Sequence, residues 1–413
     1  MRHTIFTALI CGLFAGTLCT ALPVQAADEE GTVLGTAERG GVIYTIYQDH
    51  AAVSGANADL SGDVTVPVQV DGLPVTEIKG RSFVDVNITT LTLPSTVEVI
   101  RQNAVLRCDD LTEVTVLEGT TTLEYHPWQK CKKLKTLHLP ASLNSVQGRI
   151  VLNCPLLTTV DVAEDNETFV CKDGMFCSKS GILYQLLDTQ RQDVVLPGSI
   201  TQISSYAFED CAVQSVSMPG VTKIALYAFK NCTSLQEVEL SDELKGLGTG
   251  VFYGCTSLEE VTMPENVISI SSMCFENSGL RRITIPGAAT GINTDFSTAL
   301  NSPDVTVIYG VEGSAVEAFA EQYGYRFLPI GTDYVLGDVN ADGRINANDA
   351  SVTLVAAARI GAKRDSGLTR AQRYAADVTW DNAVNAVDAS RILQYAAYVG
   401  AKGTKDLESY LGR

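Results

Sequence analysis

A β-rich solenoid of stacked turns, followed by a small all-α module built on cation-binding loops, is the fold class that this 413-residue sequence predicts. Three observations predict it. An apolar anchor residue recurs at intervals in the low twenties through the middle of the chain. Near the end, the stretch GDVNADGRINANDA puts oxygen-bearing side chains at alternate positions ahead of an alanine-rich helical segment. That loop and helix then occur a second time, 39 residues further on.

The chain opens with MRHTIFTALICGLFAGTLCTALPVQA: a short basic start, an apolar run, and small residues at Val24 and Ala26. This pattern predicts a signal peptide over residues 1–26, cut after Ala26, and hence a secreted, extracellular chain. Gly and Thr interrupt the run and Pro23 closes it, which argues against a membrane anchor; neither Cys11 nor Cys19 is flanked as a lipoprotein signal requires. No later segment is apolar enough to span a bilayer, so no membrane insertion is expected. The net charge of −18 lies entirely in residues 1–332, with 20 basic and 38 acidic side chains, because residues 333–413 carry ten of each. A surface this acidic repels phosphate backbones, so nucleic acid is not an expected partner.

Residues 73–330 form the repeat. The anchors are Phe83, Val105, Trp128, Val151, Phe208, Phe229, Phe252, Phe275 and Phe296, with one long step of 57 between Val151 and Phe208. Three positions after most anchors stands a cysteine (Cys108, Cys131, Cys154, Cys211, Cys232, Cys255), and a leucine usually follows. Next comes a strand pattern such as LKTLHLP or LEEVTMP, with apolar residues alternating against Lys, Glu and Thr. One turn cannot bury its own apolar face, so stability has to come from stacking, and nine turns make a body about 45 Å long. The cysteines read as small apolar fillers of a tight column.

ISSYAFEDC with its following V and MP resembles the BspA-like class of leucine-rich repeat, over about residues 60–330. By that resemblance residues 27–72 hold an N-terminal β-cap, most clearly in 41–72, and residues 306–330 a closing strand, short helix and final strand. The long step contains NETFVCKDGMFCSKSGILYQLLDTQRQDVVLP, whose DG and KSG read as hairpin turns. We take residues 164–196 as a hairpin insertion projecting from one turn, with Cys171 and Cys177 the pair best placed for a disulfide. Nothing in the repeat spells catalysis: GxSxG, HExxH and a phosphate loop are missing, and His50, His126 and His138 are scattered. No catalytic residue is nominated. Tyr125, Trp128, Tyr206 and Tyr227 are candidates for a sugar-stacking platform, although Trp128 holds a core anchor position.

Residues 331–336 form a linker and 337–413 the C-terminal module. Counting from Asp338 as position 1, oxygen side chains fall at Asp338, Asn340, Asp342, Asn346 and Asp349, with the carbonyl of Arg344 at position 7 and Gly343 at the sharp turn. This is the EF-hand pattern for a hard cation, with Asp in place of the usual Glu at position 12. The second copy gives Asp377, Thr379, Asp381, Ala383 (by its carbonyl), Asn385 and Asp388, so two calcium ions are expected. Residues 338–363 and 377–402 share 14 identities in 26. Asn382 replaces the turn glycine, and Asn accepts a positive φ better than most residues. Thr379 offers a weaker oxygen, which predicts a somewhat weaker second site.

The paired loop–helix units resemble dockerin type I modules, over about residues 333–413. That resemblance implies a cohesin on a scaffoldin as partner. It maps the recognition positions to Ala347, Asn348, Leu354, Val355 and Arg359, and to Ala386, Val387, Leu393, Gln394 and Tyr398 in the second copy. The expected function is therefore a non-catalytic cellulosomal component whose repeat domain presents a protein- or cell-surface-binding face. The rival readings are a cellulosomal hydrolase, or an inhibitor, with a site in the repeat domain.

Overall fold

The computed structural model describes residues 31–287, Leu300 and residues 306–412. The expected signal segment and the Phe296 anchor lie outside the described residues. The repeat interval is the length of one solenoid turn: Val105 pairs in parallel register with Phe83 on one side and Trp128 on the other, and Trp128 with Val151. Each early turn adds one short strand to each of three sheets. One sheet runs through the anchors; another holds Asn87–Leu93, Glu113–Val116, Thr136–Leu139 and Asp161–Val162; the last holds Leu73–Ile78, Val99–Ile100, Thr122–Leu123 and Ser145–Val146. The stack reaches about 11 turns between residues 51 and 329, more than the nine anchors. One reason is that Ala51–Ala56 and Ser61–Thr65, ahead of the first anchor, already pair in parallel with Leu73–Ile78 and Asn87–Leu93. An antiparallel meander of Gly35–Arg39, Val42–Ile46 and Ala51–Ala56 leads into the same sheet.

Equivalent side chains stack on one another. Phe208, Phe229, Phe252 and Phe275 form a ladder with centroids 4.5, 5.4 and 5.4 Å apart and ring planes within 19° of parallel. The column cysteines are free and buried, as fillers should be, but they also donate: Cys232 Sγ reaches the carbonyl of Phe208 at 3.0 Å and Cys255 Sγ that of Phe229 at 3.1 Å. Burial pushes the Cys255 thiol up to about 12, which keeps that group protonated. In the Phe275 turn the position holds Ser278, whose hydroxyl donates to the Phe275 carbonyl at 2.6 Å.

Backbone strain recurs with the same period. Residues two before and two after most of the described anchors are left-handed, among them Tyr206 (φ 61°) and Asp210 (φ 60°) around Phe208, and Tyr227 (φ 54°) and Asn231 (φ 58°) around Phe229. These positions form the corners at which each turn changes sheet.

The insertion does not project. Phe169–Lys172, Met175–Ser178 and Ile182–Leu186 form an antiparallel meander whose last strand pairs in parallel with Gln202–Ile203, so it is a layer of the stack. Every residue of Met175–Ser178 is buried. Phe169, Phe176 and Leu187 join the core of the first half, while Met175, Cys177, Leu183 and Leu186 join that of the second. A strand that is apolar at consecutive positions needs cover on both faces, and only the interior of the stack supplies it. Gln185 completes the join: its Oε1 accepts from the Ile150 amide at 3.0 Å and its Nε2 donates to the Val151 carbonyl at 2.9 Å. Cys171 and Cys177 are both free. Cys171 opposes Phe176 while Cys177 opposes Val170, so strand alternation turns their side chains to opposite faces.

At the far end come strand Val307–Gly310, helix α1 (Ala315–Tyr323) and strand Arg326–Pro329, the last parallel to the first. Helices α2 (Ala347–Gly361), α3 (Arg370–Ala376), α4 (Ala386–Gly400) and α5 (Leu407–Leu411) build the C-terminal module, in which α2 and α4 pack on each other.

Removing one rung of the phenylalanine ladder leaves a cavity facing two neighbours. Phe252→Ala should cost about 3–5 kcal/mol in urea-induced unfolding. Val195→Ala, at a side chain 73% exposed, should stay within about 0.5 kcal/mol of the parent.

Candidate functional site

The two loops of the C-terminal module fold by the same bonds. In the first, Asp338 Oδ1 and Oδ2 accept from the amides of Asp342 (3.1 Å) and Gly343 (2.8 Å). In the second, Asp377 Oδ1 and Oδ2 accept from Asp381 (3.2 Å) and Asn382 (3.1 Å). Asp349 and Asp388 close the loops from position 12, taking the position 3 amides of Asn340 and Thr379 at 3.1 and 3.0 Å. Gly343 and Asn382 both carry the positive φ of the turn, 80° and 60°. Each loop is also a helix start. Asn346 and Asn385 cap α2 and α4, and with Asp349 and Asp388 they form full capping boxes. The residues at positions 9 and 12 therefore serve loop and helix at once.

The carboxylates of Asp377, Asp381 and Asp388 converge so that an oxygen from each lies within 4.8 Å of the others. Asp377 and Asp388 are buried and Asp381 is exposed. Burial pushes the Asp377 carboxyl above the usual carboxylate range; the Arg326 guanidinium pulls the other way, and the charges of Asp388 and Asp381 add to the rise. Converging hard oxygens, short of positive charge, are the donor set a divalent cation such as calcium takes. Thr379 Oγ1 donates its proton to Asp388 Oδ1 at 2.8 Å, which orients the position 3 hydroxyl within the loop.

Of the residues mapped to partner recognition, Ala347, Asn348, Leu354, Val355 and Arg359 are all exposed on α2, as are Ala386, Val387, Leu393 and Gln394 on α4. Tyr398 differs. Its ring packs on Tyr395 and Tyr410, and its hydroxyl accepts from the amides of Thr404 and Lys405, both at 3.2 Å, so it holds the chain end in place. The opposite side of the module meets the solenoid. Tyr374 and Trp380 pack with Val307, Tyr309 and Leu328, and Arg370 pairs with Glu317 at 2.6 Å. Tyr334, from the segment read as a linker, joins this contact. A cleft of about 700 Å³ lies along the join, lined by Arg282, Tyr309 and Trp380 among others. Arg326, which sequence reasoning passed over, sits at the centre of the contact; its only local signal is a charge inside the apolar run YRFLP.

On the solenoid Trp128 is fully buried and drops out of the suggested aromatic platform, while Tyr206 and Tyr227, both half-buried, stack with centroids 5.5 Å apart. Beside them Arg149 pairs with Glu209, which also accepts from Lys230 Nζ at 2.9 Å. This nearly buried pair staples the two sides of the insertion. His126 lies next to it, and burial, then the charge of Arg149, pushes its imidazole down to about 4.

Comparison with known proteins adds the following. The model of the BspA type leucine rich repeat region matches in six copies over residues 71–182 and 184–299. The model of the dockerin type I domain matches residues 336–397. No curated protein is matched. Among solved structures the chain is similar to the pneumococcal vaccine antigen PcpA, at 15% identity and a TM-score of 0.48, over 73% of this chain and 100% of that one. It is similar to a leucine rich cell surface protein of Faecalibacterium prausnitzii A2-165, at 22% identity and 0.38, over 69% and 97%. It is similar to the leucine-rich repeat protein of T. pallidum, at 27% and 0.33, over 54% and 90%.

The displaced imidazole carries a pH dependence. Its folded value lies below the ordinary 6.5, so the unfolded chain takes up the proton first and stability falls as pH drops from about 6.5 towards 4. The unfolding free energy from urea titrations across that window should fall by about 1–3 kcal/mol from this group, and His126→Gln should remove that part of the slope.

Proposed function

The chain belongs to the BspA-type leucine-rich repeat family and carries a dockerin type I domain; from that premise we propose that it is a secreted, non-catalytic component of a cellulosome. The dockerin holds two calcium ions, one at Asp338, Asn340, Asp342, the Arg344 carbonyl, Asn346 and Asp349, the other at Asp377, Thr379, Asp381, the Ala383 carbonyl, Asn385 and Asp388. So ordered, it binds a cohesin on a scaffoldin. The repeat domain presents its outer surface to a protein or cell-surface ligand, as repeat scaffolds do.

One observation carries the anchoring half. Leu354 and Val355 are 52% and 59% exposed on α2, and Val387 and Leu393 are 56% and 51% exposed on α4. Large apolar side chains left open on both helices, at the positions mapped to partner recognition, support a partner face there. The solenoid contact is made by the other side of the module, through α3, the second loop and α5, so these helices remain open to a partner. The non-catalytic half rests on the composition of the solenoid's polar groups. The most buried ion pair within the solenoid itself, among the described residues, is Arg149 with Glu209, and it joins two parts of the scaffold.

The test is capture on immobilised cohesins. Binding should occur with calcium and be lost in excess chelator. Charged residues in place of Leu354, Val355, Leu393 and Gln394 together should weaken it by about 100-fold or more. Binding that ignores both calcium and these substitutions would sink the reading. Release of reducing sugar from plant-wall polysaccharide by the purified chain would favour a hydrolase instead.

A further inference from the structure

A charge in the last strand of the solenoid is built into the second loop of the dockerin. Arg326 is 2% exposed. Its Nη2 donates to Asp377 Oδ2 at 2.6 Å and to the Asp377 carbonyl at 3.3 Å, and its Nη1 reaches the Tyr374 carbonyl at 3.5 Å. The guanidinium lies 3.9 Å from the ring centroid of Trp380, at position 4 of the loop, and 5.3 Å from that of Tyr374. The neighbouring amide of Phe327 donates to the Tyr374 hydroxyl at 3.0 Å. Asp377 itself is 4% exposed at its side chain.

The contact adds to the loop without displacing any of its own bonds. Both Asp377 oxygens still accept the amides that their Asp338 counterparts accept in the first loop. Arg326 occupies further acceptor capacity on Oδ2. Charge points the same way. Asp377, Asp381 and Asp388 with one guanidinium leave two negative charges in a largely buried place, which one divalent ion balances. A group that grips the far side of a ligating side chain fixes its direction and tunes the ion it holds.

We infer that Arg326 is a positioning residue for calcium at the second loop, so that the cap of the solenoid sets the affinity of one dockerin site and not of the other. The inference rests on the calcium reading above. It implies that the repeat domain and the dockerin act as one body whose junction includes an ion site.

Calorimetric calcium titration of the full-length chain tests it. An Asp338→Ala background isolates the second site, and an Asp377→Ala background the first. Arg326→Gln should weaken the second site by about 10–100-fold and leave the first unchanged. Arg326→Lys should recover part of the loss, because it restores the charge without the planar fork. Glu317→Gln breaks the rim pair with Arg370 but touches no loop oxygen, and should leave both sites unchanged. Trp380 emission is a second readout. It should respond more to calcium in Arg326→Gln than in the parent, whose loop is already assembled. Unchanged or tighter binding at the second site would overturn the inference. Equal losses at both loops would also overturn it, since Arg326 would then only hold the module folded. A parent chain that binds no calcium would overturn the calcium reading along with it.

Discussion

Successive turns of the solenoid meet position for position, so that Val105 lies against Phe83 on one side and Trp128 on the other. Each turn has only its neighbours to bury its apolar face against, and that makes register the controlling constraint. A slip of one residue would turn every inward side chain outward. The phenylalanine ladder follows from this register, because like residues are brought within ring-stacking distance without further design. The column of thiols follows too: a cysteine three residues past the anchor is delivered to the carbonyl of the anchor one turn earlier. Even the strained corners repeat, since a path that closes on itself every 23 residues must bend at the same places.

Stacking creates two ends that it cannot itself satisfy. At the start, the antiparallel meander leads into the first turns. At the finish, strand Arg326–Pro329 would present an open row of backbone groups and a bare patch of core. Helix α1 covers part of that patch, and α3 of the dockerin stands over the strand, with Tyr374 taking the amide of Phe327. The dockerin therefore does part of the capping, and the segment read as a linker is drawn into the contact through Tyr334.

What the sequence made legible divides along these lines. The anchors and their interval were readable because register forces equivalent positions to be alike, and the two Asp/Asn-rich loops because their oxygen-bearing side chains recur at fixed spacing ahead of each helix. The second loop was readable despite losing its glycine, since Asn382 adopts the same backbone. The corner positions were hidden. Tyr206, Tyr227 and Lys130 stand there in left-handed conformation, held by the stack against their own preference. The place of the insertion was hidden because MFCS has the composition of an ordinary hairpin strand, and its burial on both faces depends on the neighbouring turns. Tyr398 matched a recognition position by alignment, yet its hydroxyl is used by the chain end. The Arg326–Asp377 pair could not be read at all: its partners lie 51 residues apart and belong to different modules.

That pair also explains why the junction has a definite geometry. A buried ion pair contributes little net stability, because desolvating both charges offsets most of their attraction. Adhesion at the join comes instead from Tyr334, Tyr374, Trp380 and Leu328, whose apolar contact could slide through many poses at similar energy. The pose observed places the guanidinium against Asp377 and over the Trp380 ring, and a slid pose that kept it buried would leave the charge without this partner. The apolar surface makes the modules meet, and the pair decides how. With the pose fixed, the exposed helices α2 and α4 keep a constant direction relative to the solenoid. The surface of the solenoid is then held at a set angle to these helices, in contrast to the sweep that a six-residue flexible tether would permit.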